Sequence, residues 1–385
     1  MIHDNEKIAE RVGAAFKKNF DEGGELGCAV SVWKEGEEIV SIHGGFRDAK
    51  RSVFWDDETL VLVWSATKGV ASATLLHALE KNGVSTDAIV SSIWPEFAAN
   101  GKENIRISEV MSHRAGLSAL STPGLHMMIR EPVLKAIEEQ AAQREEGFSH
   151  AYSPRVYGFI VDEIVRRVAG ESIGEYWRKH IAEPAGIDFW IGLPESEHHR
   201  VAQMLAPRVG AAAGQFSSDP FLQAIANQHS LAHAAFASPG GVMSASAMNA
   251  SKVRSASLPS LGGIGSASAL AKFYSLLAIG ESEYFSADLL KKMQAVLTSG
   301  PDGTLRHETA FSCGFMLDPV NAAGTKTRKL FGTSPRAFGH PGAGGSLAFA
   351  DPDSKIAFAY VMNQMCIGAL PGIHTTRLVD AIYSG

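Results

Sequence analysis

Cysteine is scarce in this 385-residue chain: Cys28, Cys313 and Cys366 are the full set, far apart, odd in number and without C-x-x-C spacing. That excludes a disulfide framework and a cysteine zinc site. Each lies in an apolar strand-like run and is expected to be a small buried hydrophobe. Long apolar runs are missing as well. No stretch approaches the ~20 residues that a membrane-spanning helix needs. The start, Met1-Ile2-His3-Asp4-Asn5-Glu6-Lys7, has neither the basic nor the apolar region of a secretory signal. A soluble, cytoplasmic protein without a membrane partner is expected. Positive charge is nowhere concentrated: 35 Lys and Arg against 41 Asp and Glu leave a formal charge of -6. With no basic tract to follow a phosphate backbone, nucleic acid is excluded as a partner. His198-His199 and His229/His233 lack the carboxylate of an H-E-x-x-H arrangement, so no metal site is expected. A G-x-S-x-G elbow is absent, which closes the α/β-hydrolase route to serine chemistry. No internal repeat of fixed period is found.

What is present is the composition of an ordinary globular protein, 45% hydrophobic and 20% charged, long enough that two lobes are the default. The chain is organised around Val61-Leu62-Val63-Trp64-Ser65-Ala66-Thr67-Lys68, an apolar strand-like run breaking into a helix that reaches to about Glu80. Ser65 opens that helix, and at ~3.6 residues per turn Lys68 falls on its face one turn on, within reach of the hydroxyl. A serine hydroxyl is a poor nucleophile until a base takes its proton, and a neighbouring cation depresses the pKa values involved. The helix start also offers unpaired N–H groups and the positive end of the dipole to a developing oxyanion. The same residues fit a plain N-cap followed by a solvated lysine. A second match, Ser31-Val32-Trp33-Lys34, sits in an alternating run whose positions i and i+3 face opposite sides of a strand. The spacing alone leaves both readings of Ser65 open.

Residues 5 to 22 read as an amphipathic helix through Ile8, Val12, Ala15, Phe16 and Phe20. Gly27–Val32 and Glu38–His43 form a hairpin around Lys34-Glu35-Gly36-Glu37, and a second runs from Ser346–Ala350 through Asp351-Pro352-Asp353-Ser354 to Lys355–Asn363. A last helix covers roughly Ile373 to Tyr383. One antiparallel sheet built from both termini and covered by helices is therefore expected. From Ala71 to about Gly280 the pattern is helical, clearest over 155–180, where Val156, Phe159, Ile160, Ile164, Val165 and Val168 share a face and Gly170 is a stop. The expected division is an α/β lobe of 1–85 and 305–385 with a mostly helical lobe, 86–304, inserted. Ser65 lies at their junction, where pockets form.

Four segments in order carry a family resemblance: Ser65-Ala66-Thr67-Lys68; Ile107-Ser108-Glu109-Val110-Met111-Ser112-His113-Arg114-Ala115-Gly116-Leu117; Tyr152-Ser153-Pro154 with its following helix; and Phe338-Gly339-His340-Pro341-Gly342-Ala343-Gly344-Gly345-Ser346. Together they resemble the serine β-lactamase-fold proteins, and most of all the class C-related family VIII carboxylesterases. The resemblance covers most of the chain and implies an α+β, β-lactamase/transpeptidase-like fold, an antiparallel sheet flanked by helices with an inserted helical lobe. It implies that Ser65 is acylated and that Lys68 and Tyr152 shuttle its proton. A phenol has a pKa near ~10, so Tyr152 can act as a base only if positive charge, supplied by Lys68, holds it partly ionised. It further implies that His340, Pro341 and Gly342 line the substrate and that the amides of Ser65 and Ala343 form the oxyanion hole, where removing one donor costs roughly 3 to 4 kcal/mol. Two departures bear on substrate. Position 154 is proline where β-lactamases and D,D-peptidases carry an asparagine, and His340-Pro341 replace Lys-Thr, the pair that grips a substrate carboxylate. Neutral histidine and proline do neither. The expected activity is a serine carboxylesterase hydrolysing short-chain neutral esters through an acyl-enzyme, with a small-molecule ester as its partner and neither cofactor nor metal. The alternatives are a β-lactamase or D,D-peptidase, a same-fold acyltransferase or amide hydrolase, and a penicillin-binding sensor. Whether the chain forms a homo-oligomer is left open.

Overall fold

A computed structural model describes residues 2–208 and 218–384. After an opening helix α1 (Ile2–Asp21) come β1 (Gly27–Lys34), β2 (Glu37–Gly45) and a short β3 (Val61–Leu62), followed by α2 (Thr67–Lys81). Further along are β4 (Phe189–Ile191), β5 (Gly263–Gly265), β6 (Thr298–Pro301), β7 (Glu308–Phe311) and β8 (Met316–Leu317). Then β9 (Phe338–Pro341), β10 (Leu347–Asp351), β11 (Ile356–Met362) and a closing helix Ile373–Tyr383 end the chain. Eight strands form one antiparallel sheet in the order β2-β1-β11-β10-β9-β8-β7-β6, so both termini contribute to it. A second sheet, β3-β5-β4, joins the strand-like run at Val61 to two strands, β4 and β5, from the stretch expected to be helical.

The sheet is buried on both faces, and strand alternation sorts its residues by size. Leu347, Phe349, Phe358 and Tyr360 pack on one side with Ile8, Val12 and Phe16 of α1 and Leu378 and Ile382 of the last helix. Ala348, Ala350, Ala357 and Ala359 turn to the other side, against Leu270, Phe273 and Leu277. Those alanines let the helix Ala267–Ala278 lie close across β1, β10 and β11. On that same side α2 packs against the helix Val156–Ala169 and against β9, which brings the four motif segments together.

Several boundaries differ from expectation. The helix beginning at Ser65 starts at Thr67. Gly170, read as a stop, does end the helix Val156–Ala169 at a φ of +77°; what differs is that Ser172 caps a new helix over Ile173–Trp177 within the stretch 155–180. Cys28 and Cys313 are buried as expected, Cys313 in the turn between β7 and β8, but Cys366 is exposed. Among the described residues no helix is long and apolar enough to cross a membrane.

Candidate active site

The turn between β3 and α2 is fixed from several directions. Val63 donates its amide to Gly263 at 2.9 Å, and its carbonyl accepts from the Ser346 hydroxyl at 2.8 Å. The Thr67 hydroxyl donates to the Trp64 carbonyl and accepts the Gly263 amide at 2.8 Å. Trp64 is held at φ +51°, a left-handed conformation costly for a bulky residue and one that surrounding contacts must impose. Ser65 follows it, half-buried, two residues before the helix. The helix is capped by Ala66 with no side-chain hydrogen bond, so Ser65 is not an N-cap.

Lys68 is no solvated first-turn residue either. It is wholly buried, and its Nζ donates to the carbonyls of Ser260 at 2.7 Å and Pro154 at 3.0 Å. The same Nζ stands 4.9 Å from the centre of the Tyr152 ring. Among the described residues no carboxylate pairs with it. Burial, and then the charge of Arg155, push its pKa well below that of an ordinary lysine.

Tyr152 is also buried, and no hydrogen bond of normal geometry reaches its hydroxyl. Ser65 is the side chain near enough to favour its ionised form, but burial outweighs this and raises the phenol well above its usual range, with Asp302 and Tyr157 adding to the effect. The expectation that Lys68 holds Tyr152 partly ionised is thereby reversed: burial favours the neutral form of both groups. The ring stacks on Phe311 at 6.1 Å and meets the edge of His113 at 4.8 Å. Its backbone is tied down by neighbours that no local signal marks. The Tyr152 amide donates to Asp302, 150 residues away, and the Ser153 amide donates to Nδ1 of His113. His113 sits inside the second motif, itself at φ +60°; Asp302 and Ser260 have no such sequence flag.

The fourth segment runs along β9 and returns toward the nucleophile turn. His340 is buried, and its Nδ1–H donates to the Pro341 carbonyl at 2.7 Å, leaving Nε2 a bare acceptor with no partner. Burial and the Lys68 charge lower its pKa to about 3, so the ring is neutral. A Cβ on Gly342 would fall 2.1 Å from the Val63 carbonyl oxygen, so only glycine lets this segment lie against the turn. The short helical turn Ala343–Gly345 follows. Among the described residues, neither the Ser65 nor the Ala343 amide donates a hydrogen bond. Pro154, whose ring offers no side-chain amide, contributes its carbonyl to Lys68. Ser65, Lys68 and Tyr152 thus share one site, with His340 beside Lys68 and Tyr152 and Gly342 against Val63, two residues before Ser65.

The profile of the Beta-lactamase family matches residues 12–370. The chain is 29% identical over 350 residues to the esterase/beta-lactamase LipL of Mycobacterium tuberculosis, covering 88% of this chain and 77% of that protein. A crystal structure of a family VIII carboxylesterase superposes with a TM-score of 0.85 at 32% identity, over 98% of this chain and 97% of that one. A penicillin-binding protein homologue from Caulobacter crescentus gives 0.82 at 32% identity, with the same coverage. A serine turn with a buried lysine three residues on, the sheet order, and these relatives lead to one conclusion: the chain belongs to the beta-lactamase family of serine hydrolases.

Proposed function

We propose that the protein is a serine carboxylesterase that hydrolyses short-chain neutral esters through an acyl-enzyme. The observation that carries this is Lys68: a buried amine held by two carbonyls is disfavoured as an ammonium, which is what a base for the Ser65 hydroxyl requires. The Ser65 hydroxyl passes its proton to the Lys68 amine, with the neutral Tyr152 hydroxyl as the bridge, and Ser65 Oγ bonds to the ester carbonyl carbon. The oxyanion forms against the free amides of Ser65 and Ala343. As the carbonyl re-forms, the alcohol leaves and takes a proton from the Tyr152/Lys68 pair. A water then gives its proton to the same pair and attacks the acyl carbon; the bond to Ser65 Oγ breaks, Oγ takes that proton back from the pair, and the acid leaves.

The neutral-ester preference is supported by His340. Its bare Nε2 presents a lone pair where a carboxylate grip would need a donor, and neither Pro341 nor Pro154 offers a side-chain donor. The names of the relatives point the same way, with esterase in two of the three. A β-lactamase or D,D-peptidase is the second reading. It uses the same Ser65 and Lys68, and the penicillin-binding homologue favours it.

A panel of p-nitrophenyl acetate, p-nitrophenyl butyrate and a chromogenic cephalosporin decides between them. Esters are expected to be turned over faster, with Ser65→Ala abolishing all turnover and a phosphonate labelling the Ser65 peptide. Faster hydrolysis of penicillins than of either ester overturns the esterase reading. Labelling of Ser31 or Ser112 overturns the nucleophile.

A further inference from the structure

Behind the wall that holds Lys68 lies a cavity of about 130 Å3, lined in part by Arg155, Met128, Phe159, Ala256, Leu258 and Ser260. The same main chain forms both sides of that wall. Pro154 and Ser260 give their carbonyls to Lys68 Nζ. The Ser260 hydroxyl donates to the Arg155 carbonyl at 3.0 Å and accepts the Gly158 amide at 2.6 Å.

Arg155 is 6% exposed, and among the described residues its guanidinium meets only neutral acceptors. These are Met127 Sδ at 2.7 Å and the carbonyls of Pro239 at 3.0 Å and Val242 at 2.9 Å. The other cations at the cavity are matched already: Asp162 accepts from Arg166 at 2.7 Å and from Arg130 at 3.4 Å, and Glu163 also pairs with Arg130. Burial brings Arg155 down to about 10, so it stays charged at neutral pH. Arg130, Asp162 and Arg166 line the cavity as well, but they are paired with one another or with Glu163, so Arg155 is the unmatched cation there; beside the apolar wall of Met128, Phe159 and Leu258 it is a seat for a small amphipathic anion.

We propose that this cavity binds a short-chain monocarboxylate, its head on Arg155 and its alkyl chain against Met128, Phe159 and Leu258, and that occupancy holds Lys68 in its protonated form, which cannot take the Ser65 proton. The second half rests on the esterase reading. The groups facing Lys68 are Tyr152, His113, His340 and Arg155, and of these Arg155 alone lines the cavity. Its charge opposes a proton on Lys68; a bound carboxylate cancels that opposition, so Lys68 keeps its proton to higher pH and the acid limb of kcat/KM moves upward. The acid released from a short-chain ester belongs to this ligand class, which makes the site a brake operated by product.

Titration calorimetry of the full chain with sodium butyrate at constant ionic strength reads the site without turnover, with 1-butanol as the uncharged control. Butyrate is expected to bind one-to-one and butanol not at all, with binding lost in both Arg155→Met and Ala256→Phe. Ala256 is not among the residues that hold Lys68, so filling the cavity from that position leaves ester turnover within about twofold of wild type. No butyrate binding, equal binding of butanol, or binding that survives Ala256→Phe overturns the site. In ester kinetics, saturating butyrate is expected to lower kcat and raise the pH of the acid limb in wild type and to do neither in Ala256→Phe. Purely competitive inhibition with an unmoved limb overturns the coupling. Butyrate binding by a chain that hydrolyses no ester upholds the site and removes the esterase reading on its own.

Discussion

At the scale of the residue, Lys68 shows that burial alone does not make a base. Lys102 is equally buried, but its Nζ is saturated by the carbonyls of Ala99, Glu138 and Gln140 and faces no nucleophile, so it is a structural pin. Lys68 has two carbonyls, with the Tyr152 ring and the Ser65 turn on its remaining side. In the proposed mechanism the two groups handle one proton, so Lys68→Ala and Tyr152→Phe should each remove most of kcat, and the double variant little more. Additive losses in a double-mutant cycle would mean that the proton is not shared. Substrate choice belongs to this scale too. A charge-assisted hydrogen bond contributes ~1.5 to 3 kcal/mol. Restoring His340→Lys with Pro341→Thr is therefore expected to raise kcat/KM for a cephalosporin relative to p-nitrophenyl butyrate by roughly ten- to a hundredfold. An unchanged ratio would place carboxylate recognition elsewhere.

At the scale of the element, the site depends on one strand end meeting one turn. Gly342 leaves β9 with its amide on the Ser346 carbonyl at 2.7 Å, and the Ser346 hydroxyl anchors the nucleophile turn at Val63. The lengths of β9 and α2 follow from periodicity, but the contact between them does not, because it depends on the absence of one Cβ. Gly342→Ala puts a methyl group against the Val63 oxygen and the Ser346 hydroxyl. It is expected to lower kcat by about a hundredfold or more, as loss of an oxyanion donor does, while circular dichroism stays native. A variant with wild-type kcat would show that the segment tolerates displacement and does not set the oxyanion geometry. Helix ends were harder to place than helix bodies for a related reason. The hydrophobic face of α2 runs back through Ser65, but the fixed turn at Val63 and Trp64 delays the first helical residue to Thr67.

At the scale of the whole molecule, burying neutral histidines makes the fold sensitive to acid. His340 is lowered to about 3 and His77 to about 4, each mainly by burial, and His113 is lowered as well. An unfolded histidine titrates near ~6.5, so below that pH the unfolded chain binds protons that the folded chain refuses. Stability is complete above that pH and falls as the pH drops toward the folded values, by about 1.4 kcal/mol per pH unit for each such residue. The thermal midpoint is expected to fall steadily between pH 7 and pH 4.5. A midpoint flat over that window would mean that these rings accept protons within the fold. His340→Gln, which is neutral at every pH, should lessen the slope.

The sequence by itself determined the two terminal hairpins, the helices at either end and the order of the four motifs, because a period of 2 or 3.6 in apolar residues is a local property of the chain. It also holds no C-x-x-C spacing, no apolar run of about 20 residues and no basic tract, which are patterns of spacing along the chain and so are read from it directly. Only the tertiary structure decided the protonation of the site. That burial disfavours the charged forms of both Lys68 and Tyr152 follows from what surrounds them: Ser260 lies 192 residues from Lys68 and Asp302 150 from Tyr152. Desolvation is a sum over neighbours in space, which residue spacing along the chain does not encode.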